Sequence, residues 1–337
     1  MSRKLPRLIL CLLVLLVGGC QISLPVKSQG SWRLYSEEDG LLSSRVNAVT
    51  SDDRGNVWFA TDQGVSVLSP QDTWTHYQAA DGLTADYAWD VLVDQHGRVW
   101  VATKGGISRL EGDNWQTVTP ANSNLPAEFP LGLAVNAQDQ VWVLSSVTGL
   151  SMVHADDTIS YVGTPFSEPS RAHIITLDAQ GHVWLATLKG LLAAYDPAEQ
   201  QWSSVVDVDD PLPQYGARSI YGIAVDRQSG HLWLAADGVV EMDGTTWRLH
   251  FPEYRATGVF VDAAGYKWFT VVRIDGDRPS SGLLVMAPDN EEWQYYPSDS
   301  NLAILVQLAW VNDITRDAQG NFWMATYGGA VRFTPDR

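Results

Sequence analysis

Asp178 to Thr187 reads DAQGHVWLAT, and the phrase returns as DAQGNFWMAT from Asp317, DQHGRVWVAT from Asp94 and DDRGNVWFAT from Asp52. Each copy joins two short apolar runs through D-x-x-G, a turn in which the Asp carboxylate caps main-chain amides and the Gly takes a positive φ. The tryptophan that follows is a large apolar body needing one polar partner. It recurs at Trp58, Trp100, Trp142, Trp184, Trp233, Trp268 and Trp323, at intervals of 42, 42, 42, 49, 35 and 55 residues. Three residues earlier stands Gly55, Gly97, Gly181, Gly230, Gly265 or Gly320, with Asp139 in the third unit. Each unit holds four apolar runs; in the second they are AWDVLV, RVWVAT, GISRLE and WQTVT. A second glycine (Gly64, Gly105, Gly149, Gly190, Gly238, Gly282, Gly328) opens the third run. Four short antiparallel strands per unit of about 40 residues describe a propeller blade.

An outer-strand aromatic also recurs, at Trp74, Trp115, Trp202, Trp247 and Trp293, with Ile159 and Tyr161 in the third unit. The last unit has none, because the sequence ends at Arg337 directly after its third strand. SWRLY, from Ser31 to Tyr35, has the outer-strand pattern and precedes the first inner strand. The N-terminal strand is therefore expected to complete the last blade, closing a seven-bladed all-β ring with no exposed edge. Residues 31–337 are then one domain.

The unit V-x-x-x-x-D-x-x-G-x-x-W-x-A-T-x-x-G resembles the two-component regulator propeller repeat, most closely in units one, two, four and seven and least in six. The resemblance implies a seven-bladed extracytoplasmic sensor domain of the kind attached to histidine kinases. No kinase or response-regulator segment follows Arg337, so only the binding half of that role carries over. Streptogramin lyases resemble the chain more loosely; they act through a His and Glu group that cannot be placed on these residues.

The N-terminus is a different kind of sequence. Arg3, Lys4 and Arg7 precede the apolar run Leu8 to Val17, followed by Gly18-Gly19-Cys20. A basic segment, a short apolar stretch and small residues make a bacterial export signal, too short to span a membrane. Val17 to Cys20 resembles the lipobox of bacterial lipoproteins, which implies a signal peptide over residues 1–19 and lipidation of Cys20; an ordinary signal peptide is the other reading. Residues 20–30 would form a tether. Gln21 is not the Asp that implies inner-membrane retention, so the expected destination is the cell envelope, at the outer membrane where the host has one. Cys11 falls within the signal, so the processed chain holds no cysteine pair and the fold rests on its core. Loss of Arg3, Lys4 and Arg7 takes the formal charge from -17 to -20. That charge disfavours nucleic acid and anionic membrane surfaces, leaving the lipid as the membrane link.

Function is sought where the repeats disagree. Seven places before the turn Asp or Asn stand Arg45, Tyr87, Phe129, Arg171, Ser219, Arg255 and Trp310. Five places before stand Asn47, Trp89, Leu131, His173, Tyr221, Thr257 and Asn312, and three places before only Val, Leu or Ile. The variable registers lie near the strand entries and predict a channel mouth ringed by guanidinium forks and aromatic platforms. The candidates are Arg45, Asn47, Tyr87, Trp89, Arg171, His173, Tyr221, Arg255, Trp310 and Asn312, with Arg218 nearby. Such a set suits an acidic carbohydrate or another small carboxylate. The competing structural reading packs the aromatics between blades and pairs the arginines with acids such as Asp90 and Asp313. Two long stretches, VVRIDGDRPSSG (Val271 to Gly282) and DVDDPLPQYGARS (Asp207 to Ser219), are expected as a rim on the same face or as surface insertions. Asp275 and Asp277 lack the full calcium-loop pattern, so neither metal nor cofactor is expected.

No H-E-x-x-H, G-x-S-x-G, P-loop or paired-cysteine spacing occurs, and the only histidine expected at the mouth is His173. The sequence thus predicts a non-enzymatic, sensor-like propeller lipoprotein that binds a small molecule or carbohydrate at its mouth. A protein-interaction platform in the envelope and a streptogramin-lyase-like enzyme are the alternatives.

Overall fold

Seven antiparallel sheets stand around a common axis in the computed structural model, each built from four successive strand positions. The structure describes residues 30–125, 129–145, 148–154, 156–166, 172–203, 206–207, 219–244, 246–273, 280–289, 291–298 and 302–336. Blade one runs Val46–Ser51, Val57–Thr61, Gly64–Leu68 and Trp74–Tyr77, from the channel outward. Blade seven takes Val311–Arg316, Phe322–Thr326 and Gly329–Pro335 from the C-terminus and Gly30–Tyr35 from the N-terminus. Those last two strands pair antiparallel from Gly30↔Pro335 to Tyr35↔Ala330, the expected closure. Trp32 extends the clasp to blade six, its Nε1–H donating to the Pro297 carbonyl at 2.9 Å. The leader, Cys20 and tether lie outside the described residues, as do most of the two long stretches. In the fourth blade, Gln201–Trp202 and Val206–Asp207 both pair with the third strand. One element was not foreseen: a short helix, Leu302–Leu308, enters blade seven and buries Ile304 and Leu308 against the closing sheet.

The repeated turn explains the repeated residues. Asp52 Oδ1 accepts the amides of Arg54 and Asn56, while Oδ2 accepts Trp58 Nε1–H at 3.0 Å. The same Oδ2 bond forms in Asp94–Trp100, Asp178–Trp184, Asp262–Trp268 and Asp317–Trp323, at 2.8 to 3.2 Å. One carboxylate thus caps a turn and satisfies a buried indole, which would otherwise cost the desolvation of an unpaired donor. Two blades break the pattern for visible reasons. In blade three the carboxylate is replaced by Asn136, whose Nδ2 donates to Gln140 Oε1 and cannot accept; Trp142 Nε1 is buried with no partner. In blade five the extra residue Ser229 takes Asp226 Oδ2 at 2.8 Å, and Trp233 Nε1 is likewise unpaired. There Lys267, wholly buried, supplies an ammonium 2.9 Å from Asp226 and 5.7 Å from the Trp233 ring. The Thr of A-T also has a task, as Thr61 and Thr326 bond the carbonyls of Gly64 and Gly329 across the next turn.

The glycine opening the third strand is required by a close approach. At Gly64, φ is +135° and a Cβ would collide with the Tyr77 carbonyl of the outer strand. In blades two and seven the residue in this role is Gly106 or Gly329, one place beyond the glycine expected. In blade six Gly282 lies within a longer strand, Ser280–Met286.

Inner strands present their free edge to the channel, and this edge is managed by side chains. In blades one to four, six and seven the ladder skips one residue near the entry, at Asn47, Trp89, Leu131, His173, Thr257 and Asn312. Such bulges break the alternation on which the three registers were read. Behind the skips at Trp89 and Asn312, Asp90 and Asp313 cap edge amides. Asp313 accepts Ile314 N–H and, from the next blade, Val49 N–H at 2.9 Å. Asp90 likewise accepts Val91 N–H and, from the next blade, Leu133 N–H at 2.6 Å. Asn312 and Asn47 donate to the next blades' Val46 and Ala88 carbonyls at 2.8 and 2.7 Å. Asp90 and Asp313 therefore meet main-chain amides, not arginines. Burial pushes Asp90 up to about 6; burial and then the Asp90 charge push Asp313 up to about 7.

Two outcomes follow. Trp323→Ala removes an indole that is 2% exposed and should lower unfolding free energy by about 3–5 kcal/mol in denaturant titration. Removal of residues through Tyr35 should lower the melting temperature as well, and an unchanged value would contradict closure. For pH, both raised carboxyls favour the protonated fold. Their contribution is complete below the ordinary carboxylate value and is lost as pH rises through about 6 and 7. Glu241 is opposite in sign: burial raises it, but bonds from His250 and His231 outweigh that and bring it to about 2, so its contribution is lost only in acid. Melting temperature should accordingly fall between about pH 5 and pH 8, less steeply in Asp313→Asn.

Candidate functional site

Strand one of each blade starts where strand two ends, so the entry residues and the loops between strands two and three share one face, the mouth. The D-x-x-G turns lie on the other. Among the sequence candidates, Arg45 and Tyr87 meet over blades one and two, Trp310 stands at the entry of blade seven on the same face, and Tyr221 and Arg255 meet over blades five and six. Arg171 and Arg218 lie outside the described residues. Asn47 and Asn312 are spent on inter-blade bonds. Trp89 leans on Tyr87, with ring centroids 4.4 Å apart, and packs on the core between blades two and three; its Nε1–H is enclosed without a partner. His173 is half-buried at the corresponding bulge of blade four.

A second set of mouth residues was missed, and its signal is the residue after the repeated A-T. These are Asp62, Lys104, Leu188 and Tyr327, with Asp237 after Ala-Ala in blade five. Within blades one and two this residue's N–H bonds the entry carbonyl, Asp62 to Arg45 at 3.4 Å and Lys104 to Tyr87 at 2.9 Å. Its side chain instead meets the entry residue of the next blade. Across blades five and six this brings Asp237 Oδ1 to Arg255 Nε at 2.9 Å, an ion pair set over the Tyr221 ring. That bond, first, holds the guanidinium above its ordinary value. Across blades seven and one, Arg45 meets Tyr327, its guanidinium carbon 5.0 Å from the ring centroid and 6.0 Å from that of Tyr87. Across blades one and two, Asp62 falls beside Tyr87. Burial raises the Tyr87 hydroxyl, which also feels Arg45, Asn47, Asp62 and Tyr327, so these groups form one node.

Charges are thus in register at blades five and six and out of register at seven, one and two. Arg45 and Asp62 belong to the same blade and are directed to opposite neighbours. Among the described residues neither forms an ion pair within 4.0 Å, and Asp62 Oδ1 is enclosed with no hydrogen-bond partner. Tyr327, Trp310 and Leu188 are exposed on the same face, at 53%, 59% and 53%.

The opposite face has a different character. Asp94, His96 and Asp139 converge there, the one set of three potential metal ligands among the described residues. Asp94 is already saturated, its Oδ2 accepting Arg98 Nε–H at 2.6 Å and Trp100 Nε1–H, its Oδ1 two amides. With a guanidinium beside it, the set clips blade two to blade three through His96 Nδ1 and Asp139 Oδ2, 2.6 Å apart. A recess of about 340 Å³ nearby is bounded by Gln138, Gln140, His154, Asp156 and Thr158, away from the mouth. No described helix is long and apolar enough to cross a membrane.

The family model for the two component regulator propeller matches residues 40–63, the first D-x-x-G hairpin and its approach. Among solved structures, the extracellular domain of an inferred hybrid two component system of B. thetaiotaomicron is similar at 18% identity and TM-score 0.70. The match covers 91% of this chain and 41% of that one, so this chain spans less than half of that relative. A streptogramin B lyase is similar at 15% identity and TM-score 0.67, over 91% of this chain and 98% of that one. At these identities the likeness is one of fold. No curated protein matches the sequence significantly. The chain is a seven-bladed β-propeller, and residues 40–63 of its first blade match the model for the two component regulator propeller.

Proposed function

We propose that this protein is a non-enzymatic, extracytoplasmic, sensor-like module that binds a small anionic molecule, such as an acidic carbohydrate, at the channel mouth. The supporting observation is Arg45, an exposed guanidinium between the Tyr327 and Tyr87 rings with no carboxylate partner among the described residues. A fork of donors beside aromatic faces suits a planar carboxylate and a sugar or ring alongside it. In a chain of formal charge -17 it is a local exception that would draw an anion to this point. The lipidated Cys20 would hold the module at the cell envelope. The similarity to a domain described as extracellular agrees with export. The lyase likeness supplies no catalytic residues here. Exposed Leu188, Trp310 and Tyr327 on this face favour a second reading, an envelope-protein platform.

Calorimetric titration of the purified protein with galacturonate, glucuronate and neutral sugars tests the proposal. Binding of the acidic sugars should fall about tenfold or more in Arg45→Ala, with melting temperature unchanged without ligand. Equal binding by Arg45→Ala, or binding of neutral and acidic sugars alike, would sink it.

A further inference from the structure

The displaced charges at blades seven, one and two say more about the ligand than its sign. At two blade boundaries the loop residue after the second strand meets the entry residue of the following blade, Tyr327 with Arg45 and Asp237 with Arg255, and the latter shows that such a pair closes when the two charges occupy successive blades. In blade one, Arg45 and Asp62 are joined through the main chain at 3.4 Å, but their side chains are sent to different neighbours, tyrosines both. The result is a guanidinium and a carboxylate borne by two residues in main-chain contact, neither of them in an ion pair within 4.0 Å among the described residues. Leaving Asp62 Oδ1 enclosed without a donor costs free energy, which a ligand cation would recover.

We propose that the mouth over blades seven, one and two is a receptor for a free α-amino acid, the carboxylate on Arg45 and the ammonium on Asp62. A compact zwitterion carries both charges on one carbon, matching two receptor groups on neighbouring residues of one blade. Tyr327, whose ring centroid is 5.0 Å from the Arg45 guanidinium carbon, is 53% exposed, so an apolar or aromatic amino acid is favoured. This inference rests on the reading of the mouth as a small-ligand site with a carboxylate on Arg45, and adds an ammonium to that ligand.

The probes are L-phenylalanine, N-acetyl-L-phenylalanine, L-phenylalanine amide and galacturonate, titrated calorimetrically into the purified protein. L-Phenylalanine should bind, and loss of either charge by acetylation or amidation should weaken it about tenfold or more. Asp62→Asn should bring L-phenylalanine down to the affinity of its acetylated form, while Arg45→Gln should bring it down to that of the amide. Arg45 is exposed and Asp62 half-buried, and circular dichroism with melting curves should show each variant folded. Equal affinity for L-phenylalanine and its acetylated form, or binding that survives Asp62→Asn, overturns the proposal. Galacturonate binding that depends on Arg45, without binding of L-phenylalanine, overturns it and leaves the small-ligand reading standing. Failure of all four probes overturns both.

Discussion

Closure of the ring by Gly30–Tyr35 on Gly329–Pro335 is the constraint from which the rest of the molecule follows. A closed ring has no terminal blade, so every contact between neighbours recurs around the axis with no free sheet to cover. Each blade then buries both faces, and seven tryptophans enter the wedges between them. The polar cost of that burial is met by one turn carboxylate per blade wherever the sequence supplies it. Where Asn136 or Ser229 interferes, the indole is left unpaired, and in blade five Lys267 compensates from the neighbouring blade.

The same recurrence lets small sequence differences decide which charges meet at the mouth. Where a loop residue meets the next blade's entry residue, as Asp237 meets Arg255 and Tyr327 meets Arg45, moving a charge by one blade decides whether it is neutralised. Asp237 and Arg255 are correctly spaced and spend their charges on each other. Asp62 and Arg45 are the same residue types at the same two registers, but in one blade, and so face tyrosines. Asp90 and Asp313 apply related chemistry to the channel, where carboxylates cap the amides an edge strand cannot pair.

Much of the fold was legible because blade-forming signals are local. D-x-x-G, the tryptophan and the A-T each act within a few residues of themselves, so their period gave strand order, blade count and closure. The helix Leu302–Leu308 was harder: LAILVQL lacks a repeat partner and follows an outer strand, so its apolar run reads as well for a strand. The candidate site was legible only in part. Counting back from the turn in steps of two assumes unbroken alternation, and the bulges at Asn47 and Asn312 redirected those side chains into inter-blade bonds. The register after A-T went unread because four of its occupants, Asp62, Lys104, Leu188 and Tyr327, share no chemistry.

The sequence by itself determined the seven-bladed ring, the structural role of its repeated Asp, Gly, Trp and Thr, and the face on which variable residues collect. Those follow from periodicity and from the conformational demands of a turn or a buried indole. Only the tertiary structure decided which charges meet. Arg45 and Asp62 lie 17 residues apart and remain unpaired, whereas Asp237 and Arg255, 18 apart, form an ion pair. Separation along the chain cannot distinguish them. What differs is whether a blade boundary falls between the two, and that is a property of the ring.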